Sequence, residues 1–235
     1  VSGVVIRVLC GKHGATGDGE GRLLHAVHGV PVMPANRLLR GWAALTALVA
    51  ATSLLLQYLL LVNGPGGSVG IAAATLRFFG YFTILSNLAV CLGCLRLASG
   101  RTLRATPAAL LALCIGVTGL VYAAALQGLW QPTGLQWWVD MGLHYAVPLL
   151  YLGGWLLLLP HGSLRWRALG RVLLVPVAYL GWAMLVAALI GQAPYPFLEW
   201  QRIGPAAFAL NVLRVAGVFV LGWTLLWALD RWRRR

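Results

Sequence analysis

Acid and lysine are nearly missing from this chain of 235 residues: Lys12 is its lone lysine, and the five acids are Asp18, Glu20, Asp140, Glu199 and Asp230. With no lysine in any apolar stretch, a retinal-type Schiff base is excluded. Asp140 is the one acid well inside such a stretch, so facing carboxylates for a proton relay are absent too. His144 is the one histidine so placed, and a single histidine does not supply two axial ligands to a haem. No G-x-S-x-G, H-E-x-x-H or Walker sequence occurs, and no internal repeat of the transporter kind is visible. A signal-peptide core is missing as well, because residues 4–10 are short and interrupted by Arg7.

Apolar residues make up 60% of the chain and charged residues 10%, which removes it from the soluble globular class. The apolar residues gather in six stretches, at 38–63, 71–97, 107–129, 136–159, 170–192 and 203–229. About 20 apolar residues span a bilayer core as a helix. Every basic residue except Arg77, Arg202 and Arg214 falls in the N-terminal region or on alternate flanks, at Arg96, Arg101, Arg104, Arg165, Arg167, Arg171, Arg231, Arg233, Arg234 and Arg235. The positive-inside rule then predicts an all-α polytopic membrane protein, a bundle of six transmembrane helices in the plasma (inner) membrane with both termini cytoplasmic. The net charge of +13 is dispersed over four short flanks. It reads as topology and attraction to anionic lipid headgroups, so membrane lipids and not nucleic acid are the expected partners.

Residues 1–36 differ from the rest and are read as a disordered or mis-annotated N-terminal extension, with residues 37–235 as the transmembrane domain. The extension carries a Gly-rich run over 11–21 together with Cys10, His13, His25 and His28, whose spacing does not match a zinc module. Met33 shortly before the first span suggests a start there, which makes residues 1–32 dispensable. Cys91 and Cys94 form a C-x-x-C on the second stretch and read as small apolar residues in a helix–helix contact; neither they nor Cys114 is expected in a disulfide. No metal or other cofactor is expected.

Polar residues inside apolar stretches are costly, and here they fall in one layer. At a helix rise of about 1.5 Å per residue, Thr83 and His144 each lie roughly 12 Å below the outer surface, and Asn211 and Arg214 lie about 12–17 Å below it. Thr83 and Asn87 are four apart, as are Asp140 and His144, so each pair shares a helix face. Asp140 can fix one imidazole nitrogen of His144 and leave the other as a base, the relation that nucleophilic catalysis requires. The bland alternative is a threonine bonded back to its own helix and a histidine bonded to a neighbour.

The segment 77–88, with Arg77, Tyr81, Thr83 and Asn87, and the segment 140–148, with Asp140, His144 and Pro148, together resemble the bacterial six-pass family labelled Pr-six-Pr. In layout they are similar to the eukaryotic androgen-induced-gene and FAR-type integral membrane hydrolases. The resemblance implies a Thr nucleophile and a His partner acting on fatty-acid esters of hydroxy fatty acids. Thr83 takes the first role and His144 the second.

Two readings follow. In one, the protein is an intramembrane threonine-dependent hydrolase of lipid esters. Thr83, His144 and Asp140 are its catalytic residues, Asn87 or Arg214 is the oxyanion donor, and Asn211, Tyr81 and Arg77 line the cavity with them. In the other it is a non-catalytic six-pass protein, a small-solute transporter or a structural partner. Either way, Arg214 is expected to meet Asp140, the one acid at its depth.

Overall fold

The computed structural model describes residues 37–64, 70–129 and 131–234, and among them the chain is helical with no strand. Residues 1–36, on which the readings of candidate ligands and of a start at Met33 fall, lie outside the described residues. Helix α1 is Arg37–Asn63, α2 is Ile71–Gly80 and α3 is Phe82–Ala98. Helix α4, Ala105–Val121, runs on into a π turn at Tyr122–Leu126. Helix α5, Gly134–Met141, passes through a π turn at Gly142–Ala146 into α6, Val147–Leu158. The short α7, Leu169–Val172, leads into α8, Leu174–Ile190; α9, Trp200–Ile203, precedes the long α10, Pro205–Arg233.

Five of these helical runs are long and apolar enough to cross a membrane: Arg37–Asn63, Ala105–Leu126, Gly134–Leu158, Trp166–Ile190 and Pro205–Arg233. The second stretch departs from expectation. It is not one helix but two, α2 and α3, bent by 78° at Tyr81. Tyr81 is extended, with φ −82° and ψ 131°. The break frees carbonyls at the end of α2, and α8 caps them: Trp182 Nε1–H donates to the Phe79 carbonyl at 2.8 Å and the Tyr179 hydroxyl to that of Gly80 at 3.0 Å. A buried helix end needs such partners. Gly80 lets α8 this close, since a Cβ there would stand 3.0 Å from Val186 Cγ1.

The centre of the bundle is α1 against α3 and α6, α3 against α4, and α4 against α6 and α10. Small residues line these contacts. Ala43, Ala47 and Ala50 of α1, Cys91 and Cys94 of α3, and Ala108, Ala109 and Ala112 of α4 are all buried in one cluster. Close backbone approach is how helices gain packing where lipid is as apolar as the side chains. Cys91 Sγ lies 3.6 Å from the Ala47 carbonyl, and Cys91, Cys94 and Cys114 are free thiols. Near the chain's end, the buried Asp230 carboxylate accepts from the Leu164 N–H at 2.9 Å and lies 3.5 Å from His161 Nδ1. This pins α10 to the connection after α6.

Candidate active site

The bend at Tyr81 puts Thr83 in the first turn of α3, where main-chain N–H groups have no helical acceptor. Its carbonyl is held firmly. Asn87 Nδ2 donates to it at 2.8 Å and also reaches the Leu143 carbonyl at 3.2 Å, while Ser86 Oγ, 3.1 Å from the Thr83 carbonyl, lies 2.7 Å from Thr118 Oγ1 on α4. Helices α3, α4 and the π turn after α5 are thus fastened together around the Thr83 backbone.

The Thr83 hydroxyl lies 3.3 Å from His144 Nε2. On the far side of the ring, His144 Nδ1 lies 3.2 Å from Asp140 Oδ1 and 3.1 Å from the Asp140 carbonyl. A proton on Nδ1 is held by those oxygens, which leaves Nε2 with its lone pair toward the threonine. Asp140 is 2% exposed, and its second carboxylate oxygen accepts a hydrogen bond from the Tyr122 hydroxyl. The Tyr122 ring stacks on His144, with centroids 3.8 Å apart and planes 13° from parallel. Tyr122 and His144 each sit in a π turn, and such turns are frequent at functional sites. Gly119 of α4 allows the approach, because a Cβ there would stand 3.0 Å from the His144 carbonyl.

Beside Thr83 opens a cavity of about 220 Å³. Its walls are apolar: Phe82 and Thr83 of α3, Val117 and Val121 of α4, Pro176, Val177 and Leu180 of α8, Val212, Val215 and Ala216 of α10, and Tyr195, Phe197 and Leu198 from the connection before α9. The Tyr195 hydroxyl lies 3.4 Å from both the Thr83 hydroxyl and the Thr83 nitrogen.

The remaining residues singled out in the sequence sit elsewhere. Arg214 does not meet Asp140: it is exposed and donates to Asn211 Oδ1 on its own helix at 3.3 Å, while Tyr122 and His144 occupy the carboxylate. Asn211 is not a wall of the cavity; its amide donates to the Phe197 carbonyl at 3.1 Å and so ties α10 to the connection that carries Tyr195. Asn87 is fully buried and outside the cavity lining. Tyr81 packs edge-on against the Tyr195 ring, and Arg77 stays half-buried in α2; neither lines the cavity. Sequence reasoning missed Tyr122 and Tyr195. Tyr122 lies in an apolar run, where an aromatic reads as packing, and Tyr195 lies between two such stretches, where it reads as part of a connection; at both, a hydroxyl that needs a partner is the hint.

No protein-family model, curated protein or solved structure matches this chain.

Proposed function

We propose that this protein is a membrane-embedded hydrolase of lipid esters, with Thr83 as nucleophile, His144 as general base and Asp140 as the group that orients the histidine. One observation carries the reading: the hydroxyl that faces His144 Nε2 also stands in the wall of an apolar cavity. A cavity of about 150 Å³ lined by aliphatic side chains stays dry and binds benzene. The larger one here suits an acyl chain. The segments 77–88 and 140–148 resemble those of the Pr-six-Pr and FAR-type proteins, which points the same way.

The chemistry runs in two halves. Thr83 Oγ1 attacks the ester carbonyl carbon as its proton passes to His144 Nε2, and the carbonyl electrons move onto oxygen. Collapse of that intermediate breaks the bond to the alcohol oxygen, which takes the proton from His144. Water then attacks the threonyl ester, gives its proton to His144, and releases the fatty acid as Thr83 recovers the proton. We further read the bent pair α2–α3 as one crossing, which makes six spans in the inner membrane, both termini cytoplasmic, with lipid reaching Thr83 from the bilayer. A transporter needs a polar path onward from this layer. The buried face of α3 beyond Asn87 offers Val90, Cys91, Gly93, Cys94 and Leu97 instead.

Purified protein in detergent, given p-nitrophenyl esters of medium-chain acids, tests this. Thr83→Ala and His144→Ala should abolish turnover while keeping wild-type helicity, and Thr83→Ser should retain part of it. Wild-type turnover in either alanine variant would rule out the assignment. No turnover in the wild type, with both variants unfolding early, would mean the polar layer only locks helices.

A further inference from the structure

An acyl-transfer site needs donors for the oxygen that becomes negative, and the residues first considered for that duty are occupied. The Asn87 amide is spent on the Thr83 and Leu143 carbonyls, and Arg214 is an exposed residue of α10 bonded to Asn211. Two other donors converge on Thr83. The first is its own N–H. In the first turn of α3, Ile84 and Leu85 both return their N–H groups to the Tyr81 carbonyl, at 3.1 and 3.2 Å, whereas the Thr83 N–H points at the Tyr195 hydroxyl. The second is that hydroxyl itself, brought in by the connection between α8 and α10.

We propose that the Tyr195 hydroxyl and the Thr83 main-chain N–H together bind the carbonyl oxygen of the ester and the oxyanion formed from it; this rests on Thr83 being the nucleophile. The two donors are 3.4 Å apart, at the long end for a hydrogen bond, and the Tyr195 hydroxyl is 3.4 Å from Thr83 Oγ1 as well. An acceptor oxygen beside the pair, about 2.9 Å from each and off the line that joins them, takes a bond from both once the long N–H contact to Tyr195 gives way. The N–H belongs to the start of the 17-residue α3, whose macrodipole favours negative charge at that end. Tyr195 is held in place: its ring stacks on Phe197 at 5.1 Å and 7°, and Tyr81 meets it edge-on at 5.6 Å. Burial raises the Tyr195 phenol above its usual range, against the opposing pull of its hydrogen bonds with Thr83, so it stays a proton donor. The 78° bend gains a purpose here, since a continuous helix would have spent the Thr83 N–H on residue 79.

Tyr195→Phe removes the hydroxyl and keeps both ring contacts. With a p-nitrophenyl ester, kcat should fall about 10²- to 10³-fold, as when one such donor is lost, with KM changed by no more than a few-fold. A second readout uses the wild type alone. Sulfur is a poor acceptor, so the thionoester of the same acid should react far more slowly than the ester, and Tyr195→Phe should shrink that ratio, which a purely structural role would not do. If Tyr195→Phe keeps wild-type kcat while Thr83→Ala is inactive, or if the wild type turns over both esters equally, this proposal is wrong and the nucleophile assignment stands. If the wild type hydrolyses no ester, or Thr83→Ala hydrolyses it at the wild-type rate, both are wrong.

Discussion

Asp140 has more asked of it than any other residue in the site. It is a buried carboxylate, and its two oxygens are divided between the His144 ring and the Tyr122 hydroxyl. The two partners separate its duties. Asp140→Asn replaces the acceptor for the His144 Nδ1–H by a neutral and weaker one, so kcat should fall about 10²- to 10⁴-fold, the range of general-base assistance. Tyr122→Phe leaves the histidine's partner in place but strands a buried carboxylate oxygen, a loss of about 1–3 kcal/mol. Thermal unfolding in detergent should show that loss, while kcat falls much less than with Asp140→Asn. If the two variants lose activity equally, the carboxylate and the phenol act as one unit and the division is wrong. At this scale the sequence was partly readable. The four-residue spacings of Thr83 with Asn87 and of Asp140 with His144 point to shared faces, and the geometry puts Thr83 beside His144. Arg214 was misjudged because depth alone paired it with Asp140. Its angular position on α10 and the claim of Tyr122 on the carboxylate were invisible in the order of residues.

Among the elements, helix defects do the positioning. The expected second span is broken at Tyr81, and the runs holding Tyr122 and His144 each loosen into a π turn. Pro148 supplies part of the cause for the second. Lacking an N–H, it cannot bond the His144 carbonyl four residues back, so the backbone there is free to widen. That same carbonyl faces Gly119, where an added Cβ would lie 3.0 Å from it and 3.4 Å from Pro148 Cβ. Gly119→Ala should therefore displace α4 from the His144 turn by a few tenths of an ångström, and Gly119→Leu by more. Since a 1 Å misplacement can cost about 10²-fold, kcat should fall about tenfold or less for alanine and further for leucine. Circular dichroism should show unchanged helicity in both. Equal activity in all three proteins would show that α4 does not set the histidine's place. Apolar length revealed the spans because it is a sum over many residues. It does not reveal the bend, since one Gly-Tyr step barely lowers the sum over so long a stretch, and what stabilises the break is Trp182 and Tyr179, about 100 residues further on.

Over the whole molecule, the helices divide into a packed centre and an open flank. Helices α1, α3, α4 and α6 bury the small residues of the core, whereas only 11% of the apolar window in Trp166–Ile190 and 17% of that in Pro205–Arg233 are buried. The cavity at Thr83 lies on that open side, with α8 and α10 as two of its walls. On the proposed reading, an acyl chain would reach Thr83 past these two walls. Ala216 offers the cleanest test, being a small wall residue on α10 and not one of the groups proposed to react. Ala216→Trp should fill much of the space for an acyl chain and leave Thr83, His144 and Tyr195 as they are. Hydrolysis of a p-nitrophenyl decanoate should then fall at least tenfold in kcat/KM, while the acetate, too short to reach the filled region, should keep a rate within a few-fold of wild type. Parallel losses for both esters, with an unchanged unfolding temperature, would mean that the acyl chain lies elsewhere and that the cavity does not select the substrate.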